Sequence, residues 1–178
     1  VSIPIPKRAS HALRAPLTDP LADLRQAVAR IEGCDPRLQT GEVKPLAFGL
    51  GALDGALKGG LSPAALHEVT PAAMHDLGSA IGFTLAPAAR AQQPGRTMCW
   101  IKTDFAGLEA GHVYGLGCDL FGLPARRLLV VKVARATDAL WAMEEALKCR
   151  AVVCVMAELA NDAACADLTA TRRLTLAA

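Results

Sequence analysis

Residues 48–69 read FGLGALDGALKGGLSPAALHEV, and the punctuation of this stretch decides the fold. Leu53 and Leu57 stand four apart, so they share one face of a short helix over residues 50–57. Gly59 and Gly60 end that helix, because glycine admits backbone angles that other residues resist. Leu66-His67-Glu68-Val69 then reads as a short strand.

Downstream, the pattern predicts a loop over residues 70–78. A helix over 78–91 follows, with Ile81, Leu85 and Ala88 on one face. Pro87 removes a backbone donor there, so this helix is expected to kink or end early. A strand over 97–101 follows the turn Pro94-Gly95, and residues 105–120 read as helix, then turn. Next come a strand over 127–133, a helix over 138–149 capped by Thr137, and a continuously apolar strand over 151–156. The 138–149 helix buries Leu140, Met143 and Leu147, and a last helix begins near residue 165. Upstream, residues 1–18 carry Lys7, Arg8 and Arg14 with no acid and are broken by prolines, which marks a basic arm. A helix follows from Asp19 to Gly33, then a connector over 34–47 with an extended piece at 45–48. Strands alternating with helices argue an α/β fold with a parallel sheet.

The composition agrees. Of 178 residues, 52% are hydrophobic and 20% charged, which excludes wholesale disorder. No apolar run approaches a membrane span. Aromatics make up 4%, so Leu, Val and Ala must fill the core. A net charge of +2 does not by itself indicate nucleic-acid binding. The six cysteines, at 34, 99, 118, 149, 154 and 165, form no C-x-x-C pair and have no histidine at zinc spacing, so no metal site is expected. Cys99 and Cys154 lie in apolar runs, where a thiol packs as a small hydrophobe. This usage fits a reducing, cytoplasmic compartment, and Pro4, Pro6 and Lys7 interrupt any signal-peptide core in residues 1–17.

The 48–69 stretch resembles the entry to the RecA-type ATPase core, in which a short helix bearing Leu-Asp and a double glycine lead into the first core strand. More particularly, LWAMEEAL at 140–147 and DLTATRRL at 167–174 resemble the ImuA family of RecA-like mutagenesis proteins. Each string also fits an ordinary amphipathic helix. The resemblance implies a RecA-like α/β core over 48–178, preceded by the 1–18 arm and by a helix and connector over 19–47. It implies further strands after residue 178, or else a small sheet. It also implies an accessory role in SOS-induced translesion synthesis, near the nucleoid. The implied partners are an ImuB-like polymerase homologue, RecA and an error-prone polymerase.

A RecA-type ATPase needs G-x-x-x-x-G-K-[ST] after its first strand, so that backbone amides and a lysine hold the phosphates. Residues 70–80 contain neither Lys nor Arg. Pro71, Asp76, Gly78 and Ser79 mark a degenerate loop, in which only Gly78 and Ser79 keep the pattern. Asp76 would set negative charge beside an anion, at a cost of about 4 kcal/mol at 4 Å. Glu158 lies one or two places late for a magnesium-associated acid, and Glu158, Asp104 and Glu109 each read as surface carboxylates before catalytic ones. Neither ATP hydrolysis nor a cofactor is therefore expected. His67 reads as a core or edge residue, His75 shows no partner for acid–base work, and Ser79 lacks a nucleophile-elbow context. Trp141 is either a packing residue or a partner anchor.

Two surfaces carry the remaining expectations. Leu21, Leu24, Val28 and Ile31 form an apolar stripe that packs on the chain's own domain, on a partner or on a second copy. Arg126, Arg127, Arg172 and Arg173 are candidate phosphate contacts for weak DNA binding, and a solvated basic face fits them equally well. Two alternatives accompany the accessory role: a SulA-like inhibitor binding the division protein FtsZ, and a weak nucleotide-binding ATPase.

Overall fold

The heptapeptide TMCWIKT becomes the central strand of the molecule, with six of its seven residues buried. In the computed structural model, which describes residues 44–159 and 166–178 together with Leu21, Leu24 and Ala27, this strand is β1 (Thr97–Thr103). It pairs in parallel with β2 (Leu128–Val133) on one side and β3 (Val152–Glu158) on the other, in the order β2-β1-β3. Counting labels from residue 44 onward, the helices are α1 (Gly51–Ala56), α2 (Leu77–Arg90), α3 (Asp104–Ala110), α4 (Gly115–Leu120), α5 (Ala136–Lys148) and α6 (Leu168–Ala177).

Side chains alternate across a strand, so β1 feeds two cores. Met98 and Trp100 join Leu85 and Ala88 of α2, Cys118 of α4 and Leu123. Cys99 and Ile101 join Ala139 and Met143 of α5 and Leu174 of α6. Helices on both faces are what an all-parallel sheet requires. The expected α/β architecture, a parallel sheet flanked by helices, is the one observed. Ile81, Leu85 and Ala88 pack on one side as expected, and Leu140, Met143 and Leu147 on the other.

Four local expectations change. Residues 66–69 form no strand, and the side chains of all four are exposed. Both edges of β1 are taken by β2 and β3, and the His67 ring bonds the Ser62 carbonyl at 2.8 Å. A four-residue strand has little preference of its own without a partner ladder. Pro87 does not end α2; the helix runs on without a break to Arg90. Proline costs one hydrogen bond, and here its ring is buried while the Ala91 N–H still reaches the Pro87 carbonyl at 2.9 Å. Residues 105–120 hold two helices, divided at Gly111 with φ of 75°. Thr137 is inside α5 rather than capping it, because the buried Ala136 already begins the helix.

The motif at 48–69 builds a closed turn. The Asp54 carboxylate accepts the backbone N–H groups of Phe48, Gly49 and Leu50 at 2.7, 2.9 and 3.0 Å. This satisfies the backbone donors of the segment that leads into α1, from Phe48 to the N-cap residue Leu50. Leu46 and Leu61 exchange both backbone bonds, at 2.7 and 3.0 Å, across the base of the turn. Gly60 allows that approach: a Cβ there would lie 2.2 Å from the Leu46 carbonyl oxygen. Phe48 then stacks on Phe83 of α2, with centroids 5.0 Å apart, and docks the turn on the core.

Candidate functional site

Open parallel sheets concentrate ligand chemistry at the carboxyl ends of their strands. There, Lys102 of β1 stands directly opposite Glu158, the last residue of β3. The Lys102 ammonium donates to Glu158 Oε2 at 2.6 Å, and the Trp100 indole N–H donates to Oε1 at 2.9 Å. The pair is desolvated: the side chains are 4% and 11% exposed. A buried charge is tolerated only when paired and hydrogen-bonded, and each carboxylate oxygen here has its own donor. The residue one step on, Thr103, caps α3 by accepting the Ala106 N–H at 3.2 Å.

This geometry bears on the acids considered from sequence. Glu158 has both oxygens engaged by the chain's own donors, so a divalent cation would have to displace a lysine. Asp104 and Glu109 sit exposed on α3. Among the described residues no group of three or more His, Cys, Asp or Glu side chains is arranged to hold a metal ion.

The degenerate phosphate loop is spread along an irregular approach to α2. Pro71 is half-buried, and residues Met74–Asp76 form a single 3-10 turn. Asp76 occupies the N-cap position of α2 without a side-chain cap bond, and lies 3.6 Å from the exposed His75 ring. Gly78 and Ser79 are exposed in the first turn. A Cβ at Gly78 would meet nothing within 4 Å, so space does not demand glycine there.

The four candidate DNA contacts fall in two places. Arg126 is exposed and Arg127 half-buried on the 3-10 turn that leads into β2, where the Arg127 guanidinium donates to the Gln93 carbonyl at 3.0 Å. Arg172 and Arg173 are exposed on α6, and Arg173 pairs with Glu144 of α5. Lys148 reaches the same Glu144 at 3.2 Å and Glu145 at 2.7 Å. The hydrogen bond from Lys148, aided by the Arg173 charge, holds the Glu144 carboxyl below its ordinary range. Leu21 and Leu24 are helical and exposed, while Val28 and Ile31 lie outside the described residues.

Burial pushes the thiols of Cys99, Cys118 and Cys154 up, which makes them poor nucleophiles. Trp141 is 64% exposed and forms one wall of a groove of about 170 Å³ between α5 and α6. Sequence reasoning missed Lys102 and Trp100. The only trace was a lysine inside an apolar strand, and the acid that answers it is 56 residues away.

Among the described residues, fold and site together define an α/β protein with a three-stranded parallel sheet whose carboxyl edge is closed by an internal lysine–glutamate pair. No family model matches the chain. It is similar to Protein ImuA of Caulobacter vibrioides, in strains NA1000 / CB15N and ATCC 19089 / CIP 103742 / CB 15. Over 141 residues the identity is 36%, covering 74% of this chain and 52% of each relative. The chain thus spans about half the length of the curated relatives it matches. Among the described residues, no helix is long and apolar enough to cross a membrane.

Proposed function

We propose that this protein is a non-catalytic, RecA-like accessory factor of damage-induced, error-prone DNA synthesis, acting through protein contacts. The relationship to ImuA supports the process. The observation that carries the non-catalytic half is the Lys102–Glu158 pair: the acid at the end of β3 is neutralised from within. The phosphate-loop region, without lysine and with Asp76 at the start of α2, points the same way. The partners in this reading are an ImuB-like polymerase homologue, RecA and the error-prone polymerase. Arg126, Arg127 and Arg172 add weak phosphate contacts that help place the assembly on DNA.

The test is genetic and enzymatic together. Deleting the gene should lower damage-induced mutation frequency in the host, and both the wild-type chain and Ser79→Ala should restore it. The purified protein should show no magnesium-dependent ATP turnover. An unchanged mutation frequency would refute the process. ATP turnover abolished by Ser79→Ala would refute the non-catalytic role.

A further inference from the structure

The strings LWAMEEAL at 140–147 and DLTATRRL at 167–174 are 19 residues apart in the chain and meet in space, where they build the groove between α5 and α6. Leu140, Trp141 and Glu144 line its α5 side, at helical spacing that puts them on one face. Ala170, Arg173 and Leu174 line its α6 side. The floor is apolar: Leu174 is buried and Leu140 half-buried. Trp141 belongs to neither hydrophobic cluster, so the core does not account for it. A volume of about 170 Å³ is below the roughly 300 Å³ at which small-molecule sites begin. The groove therefore suits one inserted side chain rather than a nucleotide.

Access, rather than net sign, sets the charge that a visitor meets. With their N-cap residues, α5 and α6 carry the acids Asp138, Glu144, Glu145 and Asp167 and the bases Arg135, Lys148, Arg172 and Arg173. Every acid is engaged within the chain: Asp138 by Arg135, Glu145 by Lys148, and Asp167 by the Ala170 N–H. Glu144 lies deepest, 18% exposed, and is held from two sides, by Lys148 at 3.2 Å and by Arg173. Arg173 is 62% exposed. It can turn to an incoming carboxylate while Lys148 keeps Glu144 paired, so no half-buried charge is left bare. Arg172, exposed beside it, has no ion pair among the described residues. The charge open to a partner is positive, and it selects a partner of the opposite sign.

We infer that the α5–α6 groove docks a segment of a partner protein in which a large apolar side chain is flanked by carboxylates. The apolar side chain packs on Trp141, Leu140 and Leu174, and a carboxylate takes the Arg173 guanidinium. DNA fits less well, because its phosphates gain nothing from the apolar floor and would meet Glu144. This stands independently of the role in mutagenesis, because it rests on the groove alone. The chain has two tryptophans, and Trp100 is buried, so a blue shift of emission reports on Trp141. The probes are two synthetic peptides of equal length with a central phenylalanine, flanked by glutamates in one and by lysines in the other, and an oligothymidine. The glutamate peptide should bind the full chain one to one and shift the emission to the blue. The lysine peptide, and a glutamate peptide with alanine for phenylalanine, should each bind about tenfold more weakly. Arg173→Gln, at an exposed position, should leave the thermal melt in place and remove the preference for glutamate over lysine. Equal binding of the two peptides would overturn the proposal, as would a preference that survives Arg173→Gln, or no binding of the glutamate peptide up to about 1 mM. An emission shift with the oligothymidine and none with the peptides would assign the groove to single-stranded DNA and overturn it. A dimer in light scattering that Trp141→Ser abolishes, with no peptide bound, would assign it to a second copy and overturn it too.

Discussion

Lys102 and Glu158 carry opposite charges in a place where neither would survive alone. Removing one partner of a buried pair costs about 3–5 kcal/mol, because the other is left desolvated. Lys102→Met and Glu158→Leu should each destabilise the fold by that order in urea unfolding, and the double change should recover most of the loss. Additive losses would mean the pair is not coupled. At this scale the sequence was half legible. An acid at the end of an apolar strand is visible in one dimension, but its partner depends on the register of β1 against β3, where Lys102 and Glu158 fall opposite each other. Asp54 repeats the lesson. Its place in the motif was plain, yet its work, receiving three backbone donors, depends on the chain curling back over α1.

Elements with strong period were legible, and those that needed a neighbour were not. α2 and α5 carry apolar residues at helical spacing, and their predicted faces are the buried ones. The 66–69 segment has strand-like residues but no ladder, since it pairs with none of the described strands. The turn from Leu46 to Leu61 allows a clean comparison between two of its glycines. Gly60 has φ of 129° and faces the Leu46 carbonyl, while Gly55 lies in α1, where a Cβ would meet nothing within 4 Å. Gly60→Ala should therefore cost about 1–3 kcal/mol through steric crowding. Gly55→Ala should stabilise by roughly 0.5–1 kcal/mol, because alanine loses less backbone entropy in a helix. Thermal melts of the two variants that move in the same direction would contradict this account of the turn.

Across the whole molecule, the two hydrophobic clusters draw on residues from Ile81 to Leu174. Residues 1–33 supply none of their members among the described residues. Removing residues 1–33 should leave the melting transition close to that of the full chain. It should also change the oligomeric state or the affinity for partners, since Leu21 and Leu24 are exposed. Light scattering that reports an unchanged monomer, with every partner still bound, would take the stripe of Leu21, Leu24, Val28 and Ile31 out of any association.

The sequence by itself determined the class of fold. Apolar periodicity is a local property, so alternating strands and helices, the two faces of α2 and α5, and the glycine-bounded turn could all be read residue by residue. The missing lysine in the 70–80 stretch was equally visible, because a motif either contains a charge or does not. Only the tertiary structure decided which strand is central, that residues 66–69 stay unpaired, and that Lys102 and Trp100 close on Glu158. It alone showed that α3 and α4 turn their large side chains outward. These are consequences of register and of competition for core volume. Both join residues far apart in the chain, and no local window contains them.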